Sequence, residues 1–586
     1  MTELQQLIDS AFENRTSISP AFPHTVERSD RSVYVAAIEN GDGESFFGPV
    51  ITSDPAEQDM EVQHLALNVR EDAQIEVVLQ GTTLGDHRVS VRVNNHAINP
   101  VVFTGQVLSS IKASIPQSWL REGDNKVTLS SELGDTDVSA VDYIRLTYWH
   151  SYVADGNSLR FTTSGQKKLE VRGFNNSQIR VVDITDGTDP VAIPHVVHGD
   201  ATGYSVMFSV RGPEIRTLLA FSEASIESAA WVVANHSSSW HKANHGYDEI
   251  IISNAAFIPG LQPLVNLRKQ QGLSVAVVDV QDVYDEFSYG AKDPNALKNF
   301  IRRSLSSWQK PPRFVLLVGD ATFDPRNYLG LGDFDFVPTK FVDTAYLKTA
   351  SDDWYVTGDD DLPILPIGRL PVRTLSDAET VVSKIVRHEQ GDQSETWRKN
   401  VLLVADSNNG FNFQGSTTQL ASLLPGGAQV SQIFRGQSDD ATTSALLLKT
   451  LNQGQGLVNY FGHGSVELWD GNLLTSEATA ELTNQSRLPF VIAMTCLNGY
   501  FQDVYTVSLA KAMLLSPGGG AVAVWASSGL TAPEGQAPMD LTVIDYLFEN
   551  ATRLGEATLA AKLKATDPDI RHTWILFGDP ATKRMW

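Results

Sequence analysis

The chain is 586 residues long, too long for one ordinary core and enough for about three to five domains. Hydrophobic residues make up 42% and charged residues 19%, which excludes a disordered chain, and its one cysteine excludes both an intramolecular disulfide framework and a zinc site built on several thiolates. The net charge of -24, from 69 acids against 45 bases, argues against nucleic acid and anionic membrane as partners, and no run of about 18 apolar residues is present to cross a bilayer.

The N-terminal stretch MTELQQLIDSAFENRT has no basic start followed by an apolar core, so it reads as no signal peptide. That leaves a cytoplasmic protein or a chain that begins after a removed signal. From about residue 30 to 235 the sequence reads as strands: SVYVAAIE, AQIEVVLQG, HRVSVRVNN, NKVTLSSE and SAVDYIRLTYW alternate or cluster β-branched and aromatic residues between Gly, Asn and Asp. Their spacing predicts a β-sandwich domain over 1–155. KKLEVRGF, QIRVVDIT and YSVMFSV predict a second β-rich domain over 156–245.

At about residue 246 strands begin to alternate with helical patterns, which predicts a parallel sheet covered on both faces. YDEIIISNAAF, SVAVVDV and RFVLLVGD are the strands, GLQPLVNLRKQQG and NALKNFIRRSLSSW the helices, and LSDAETVVSKIVRHEQ closes an α/β subdomain over 246–395. A second α/β subdomain over 396–586 opens on the strand VLLVAD. It continues through the strands AQVSQIF, GLVNYFGHG, LPFVIAMTC and GGAVAVWASS, with helices at TTQLASLLP, ATTSALLLKTLNQG and VYTVSLAKAMLLS.

Ligands of open α/β sheets bind beyond the carboxyl ends of the strands. Asp406, His463 and Cys496 all fall at such ends. A thiol at a strand-to-turn junction next to an imidazole is the arrangement of a cysteine nucleophile with its general base. By position alone Cys496 is as well explained as a core residue closing its strand. His463 stands between Gly462 and Gly464, where the Gly464 N–H, with that of Cys496, is placed to receive a developing oxyanion.

The blocks GLVNYFGHGSVELWDG and LPFVIAMTCLNGYF closely resemble the gingipain-type peptidases of family C25. RFVLLVGDATFDP, LPILPIGRLPV and WILFGDP fit the same pattern, so that the resemblance spans roughly 246–586. It implies a caspase-like catalytic domain with Cys496 as nucleophile and His463 as base. It also implies an acid at the end of an upstream strand to orient the histidine. Asp406 matches that place in one branch, whereas the arginine-specific branch aligns it nearer Asn408. The β-rich region is similar to that of the longer members, including the protease that processes cargo at the type IX secretion system.

By the same resemblance, Met494, Phe461, Ser527, Ser528 and Thr531 are candidates for the substrate pocket. The stretch FNFQGSTTQL has no acid where the arginine-specific members carry one, so Arg/Lys specificity is not expected and a neutral or apolar P1 residue is. Structural Ca2+ is implied as well, with Asp359, Asp360 and Asp361 as ligands, while the chemistry itself requires no cofactor. GDATFDP lacks the Lys-Ser/Thr of a phosphate-binding loop, and no H-E-x-x-H is present for a zinc peptidase.

The resulting expectation is a multidomain chain, an N-terminal β-sandwich region followed by a caspase-like α/β catalytic domain of two subdomains. It acts as a cysteine endopeptidase on a protein or peptide, secreted or at the cell surface, with secretion-system or surface partners. The alternatives are a catalytically silent secretion or scaffold protein of the same fold, and a cytoplasmic caspase-like regulatory protease.

Overall fold

A computed structural model describes residues 21–584 other than 42, 43, 166, 231 and 551; the N-terminal stretch read above for a signal lies outside these residues. The chain divides into two compact units between Ala234 and Asn235.

In the first unit, a sheet ordered Ala21–Arg28, Ser139–Ser151, Ala73–Gly81, Leu108–Ile115 shares one apolar core with a sheet ordered Ala56–Val62, Gly123–Ser131, Asp86–Val93, His96–Ala97. Period-two patterning explains the pairing. In Asp86–Val93, Val89, Val91 and Val93 enter the core while Asp86, Arg88 and Arg92 face out. A second body, of one four-stranded and one three-stranded sheet, has its own core around Phe161, Leu169, Phe208 and Leu218. Of SVYVAAIE only Val33–Tyr34 is strand, because the chain turns where the Ile38 N–H meets the Val35 carbonyl at 3.1 Å.

The second unit is built on one sheet of ten strands. In chain order they are β1 (Glu249–Ser253), β2 (Val275–Asp279), β3 (Phe314–Val318), β4 (Ile367–Leu370), β5 (Asn400–Ala405), β6 (Gln429–Phe434), β7 (Leu457–Phe461), β8 (Phe490–Met494), β9 (Ala523–Ser527) and β10 (Trp574–Phe577). Their order in the sheet is 2-1-3-4-10-9-8-7-5-6. In β3, Val315 and Leu317 enter one core while Leu316 and Val318 enter another, so both faces are covered.

The two α/β halves are therefore continuous. β10, quoted above only as part of a family block, lies parallel to β4 and antiparallel to β9. The segment after β10 is pinned by Asp579, whose Oδ2 accepts from Arg268 Nη2 at 2.6 Å and Nε at 2.9 Å, all without exposure. The helix expected from Val504 begins at Leu509, because Asp503 takes the Tyr505 N–H and the Thr506 hydroxyl in a turn. The helix Pro533–Glu549, absent from the sequence reading, starts on a proline at its first turn.

That helix sets a buried acid beneath β7. Asn459 donates to Asp540 Oδ1 at 2.6 Å, and Asp540 Oδ2 and Asn459 Oδ1 are buried with no other partner. Burial pushes the Asp540 carboxyl up to about 7, against the pull of the Asn459 bond. The folded state thus holds this proton more tightly than the unfolded chain, whose aspartates titrate near ~3.9. The resulting stability is full at low pH and is lost as pH rises through about 7, at roughly 1.4 kcal/mol per pH unit where the slope is steepest. Asp540→Asn, which carries no titrating proton and keeps an oxygen to accept from Asn459, removes that loss. Its urea midpoint is expected to exceed the wild type's at pH 8 and to converge with it toward pH 4. Parallel curves would show that Asp540 is not held neutral.

Candidate active site

Strands β9, β8, β7, β5 and β6 run parallel, so their carboxyl ends share one edge. From β5 the chain moves outward to β6, then returns on the other side of β5 to form β7. The connections part between β5 and β7, the switch point at which open α/β sheets take their ligands. Asp406 follows β5 directly, His463 stands just past β7 and Cys496 just past β8. β7 and β8 are hydrogen-bonded neighbours with Phe461 opposite Met494, so the histidine and cysteine loops leave the sheet side by side.

His463 is exposed, and its main chain is held at both ends. Its N–H donates to Asp406 Oδ2 at 3.1 Å, and its carbonyl accepts from Tyr460 Oη at 2.6 Å and the Asp470 N–H at 3.0 Å. The ring meets Phe413 edge-on at 5.1 Å. Its Nε2 faces the Asn409 carbonyl at 3.4 Å. A carbonyl only accepts, so this contact calls for a proton on Nε2, and in the tautomer that satisfies it the lone pair is on Nδ1. Asp406, expected to orient the histidine, meets its main-chain N–H and is not hydrogen-bonded to its ring.

The flanking glycines are required by space. A Cβ on Gly462 would lie 2.4 Å from Asp406 Cβ, and one on Gly464 would lie 2.6 Å from Thr495 Oγ1. Gly464 sits opposite Trp469, with the Asp470 N–H on His463 O and the Ser465 N–H on Leu468 O to either side. In an antiparallel pair this is the non-hydrogen-bonded position, so the Gly464 N–H points away from its partner strand.

Cys496 is partly exposed. Its carbonyl accepts from the Asn498 N–H at 2.8 Å, closing a three-residue turn with Leu497 at φ 60. A leucine in the left-handed region is strained, and such turns persist only where their surroundings over-determine them. Here Leu497 and Gly499 donate their N–H groups to Gly529 and Ser527 at 3.1 and 2.7 Å. The thiol donates to the Thr531 carbonyl at 3.4 Å and receives the Thr531 N–H at 3.5 Å. Burial pushes its pKa up, against the bonds from Thr531, and so favours the thiol over the thiolate. Among the described residues thiol and imidazole are not hydrogen-bonded to each other.

Asn498 joins the two loops. Its Nδ2 donates to the Ser465 carbonyl at 2.6 Å and the Leu468 carbonyl at 3.2 Å, and its Oδ1 accepts from Trp469 Nε1 at 2.8 Å. The Trp469 ring in turn stacks on Tyr460 at 4.1 Å. Sequence reading missed this residue's role. The signal was a polar side chain in a turn between apolar runs, which says only that the turn is polar.

Several expected substrate contacts lie below the surface. Met494 and Phe461 belong to the core at 0% and 1% exposure. Ser527 and Ser528 are fully buried, bonded to Thr573 Oγ1 and the Ala350 carbonyl. These four pack behind the edge and do not line a pocket, whereas Thr531 touches the sulfur.

The three carboxylates expected as calcium ligands meet separate partners. Asp359 pairs with Arg302, Asp360 accepts the Leu362 N–H, and Asp361 is taken by Arg571 and His572, so the three carboxylates diverge. Among the described residues no group of three or more His, Cys, Asp or Glu is arranged to hold a metal ion.

The family model described as Peptidase family C25 matches residues 242–585. Gingipain R2 of Porphyromonas gingivalis is 24% identical over 355 residues, 57% of this chain and 45% of that protein. Gingipain R1 of Porphyromonas gingivalis is 24% identical over the same length and is covered over 33%. The chain thus spans less than half the length of these curated relatives. Of solved structures, the Arg-specific cysteine proteinase gingipain R aligns at 22% identity and TM-score 0.49, over 58% of this chain and 78% of that one. Dimeric latent PorU from Porphyromonas gingivalis aligns at 17% and 0.48, over 66% and 40%.

Asn498→Ala strips the buried Trp469 indole N–H and the Ser465 carbonyl of their partner, while the Leu468 carbonyl keeps the Ser465 N–H, an expected cost of about 2–4 kcal/mol. Amide hydrogen exchange is expected to accelerate in 463–470 and 496–499 and to stay unchanged in the first unit. Unaltered exchange in those two loops would remove Asn498 as their link.

Proposed function

The chain belongs to peptidase family C25, and we propose that it is a cysteine endopeptidase in which Cys496 attacks the peptide carbonyl and His463 carries the proton. The observation that carries this reading is the placement of both residues on adjoining loops at the carboxyl ends of the neighbouring strands β7 and β8. His463 Nδ1 takes the thiol proton. The sulfur bonds to the carbonyl carbon, and the carbonyl electron pair moves to oxygen, toward the N–H groups of Gly464 and Cys496. The C–N bond then breaks, and the amine leaves with the proton from the imidazolium. Water, deprotonated by His463, cleaves the thioester, releasing the acid and returning the thiol.

In this reading Asp406 holds His463 in place through its N–H. P1 is neutral or apolar, since the helix Phe413–Leu420 and the residues just before it carry no acid. Export to the cell surface or medium belongs to the same proposal and rests on family membership. The silent-scaffold reading draws on one observation, the thiol's bonds to Thr531 in place of His463.

A peptidyl acyloxymethyl ketone separates the two. The wild type is expected to be labelled and to cleave members of a peptide library, with Cys496→Ala unlabelled and inactive. His463→Ala is expected to be slower by about 10²–10⁴-fold. Cleavage by Cys496→Ala at the wild-type rate would overturn the proposal, and a wild type that neither labels nor cleaves would favour the scaffold.

A further inference from the structure

Beyond the residues already placed, one cation stands against the histidine loop. Arg435 follows β6, and its guanidinium is met by three carboxylates from separate segments. Nε and Nη2 make a two-bond fork on Asp440, both at 2.9 Å, while Nη1 reaches Asp406 Oδ1 at 3.1 Å and also Asp470. Asp406 and Asp470 are two of the three residues that grip the His463 main chain, one by accepting its N–H and the other by donating, with Tyr460, to its carbonyl. Gly471, at φ 70, passes so close that a Cβ would lie 2.3 Å from Arg435 Nε. The hairpin that carries His463 is therefore folded onto this side chain.

From this geometry we propose that Arg435 is a positioning residue for the peptidase reaction, a clamp that fixes the His463 main chain by tying Asp406 and Asp470 to one planar cation anchored on Asp440. The inference rests on the proposed roles of Cys496 and His463. Three properties of arginine are used. Its charge compensates the fully buried Asp406, its fork fixes direction on Asp440, and Nη1 spans two acids at once. Lysine keeps the charge and loses the fork. An apolar residue loses both and leaves three carboxylates facing one another. A loop displaced by an ångström is enough to cost about 100-fold in rate while leaving substrate binding largely intact.

The test uses the full chain, a fluorogenic peptide chosen as the one the wild type cleaves fastest, and titration of reactive thiol so that rates are counted per active site. Arg435→Met is expected to lower kcat per titrated site by about 10–100-fold with KM within about threefold, and Arg435→Lys to recover part of that loss. A merely structural role would lower the number of titrated sites and leave kcat per site unchanged, and that result overturns the proposal. Should Arg435→Met fail to fold, Arg435→Lys carries the test: a severalfold lower kcat per site supports the clamp, and equality with wild type overturns it. A wild type that cleaves no peptide overturns the peptidase reading itself, whereas normal turnover by both variants overturns only the role of Arg435.

Discussion

A carboxylate with no exposure at the edge of a parallel sheet has to be met by donors, and the way Asp406 is met organises the site around it. Its Oδ1 takes the Ser407 N–H at 2.7 Å and one arm of Arg435; its Oδ2 takes the His463 N–H. The acid ending β5 is thereby joined to the cation ending β6 and to the loop ending β7. The carboxylate in turn satisfies the Ser407 and His463 N–H groups, which lie just past the strand ends. Gly462 then becomes obligatory, because a side chain there would occupy the space of Asp406.

A second linkage runs from the histidine loop to the nucleophile. Tyr460 bonds the His463 carbonyl and stacks on Trp469, and the Trp469 indole donates to Asn498, two residues past Cys496. From Asp406 to Cys496 the site is continuous in hydrogen bonds and ring contact, and almost all of it is main chain or buried. This rigidity sustains the positive φ at Leu497, which an isolated turn would relax.

Much of this was legible in the sequence, and the exceptions have physical causes. Continuous apolar runs such as FVLLV identify strands buried on both faces, and the ends of VLLVAD, GLVNYFGHG and LPFVIAMTC place three chemical groups at one edge. The placement of β10 was not legible. Four residues separated by hundreds from their partner β4 give no local sign of where they pair, or that one neighbour is parallel and the other antiparallel. Side-chain direction failed for a related reason. Met494 and Ser527 lie beside the site in sequence, but they are the last residues of strands covered on both faces, and their side chains enter the interior. Asp359, Asp360 and Asp361 read as a cluster, yet folding turns Asp359 and Asp361 toward different cations and Asp360 toward the Leu362 N–H, something composition does not encode.

The resting contacts of thiol and imidazole bear on how such a site would work. Sγ sits on the Thr531 peptide and Nε2 on the Asn409 carbonyl, both by long bonds at 3.4 Å. Bonds of this kind are worth about 1 kcal/mol or less, so exchanging them is small beside a chemical barrier. The groups that would receive an oxyanion are different in kind. The Gly464 and Cys496 N–H groups belong to main chain fixed by the hairpin, by Asn498 and by Asp406, and they need not move. Under the proposed chemistry the elements that must stay fixed are main chain, and those that must travel are two side chains held by weak contacts. The division matches what a preorganised site requires, since donors already in place cost no reorganisation when charge develops. It also explains why Arg435, which touches neither sulfur nor ring, bears on the reaction: it acts on the fixed part.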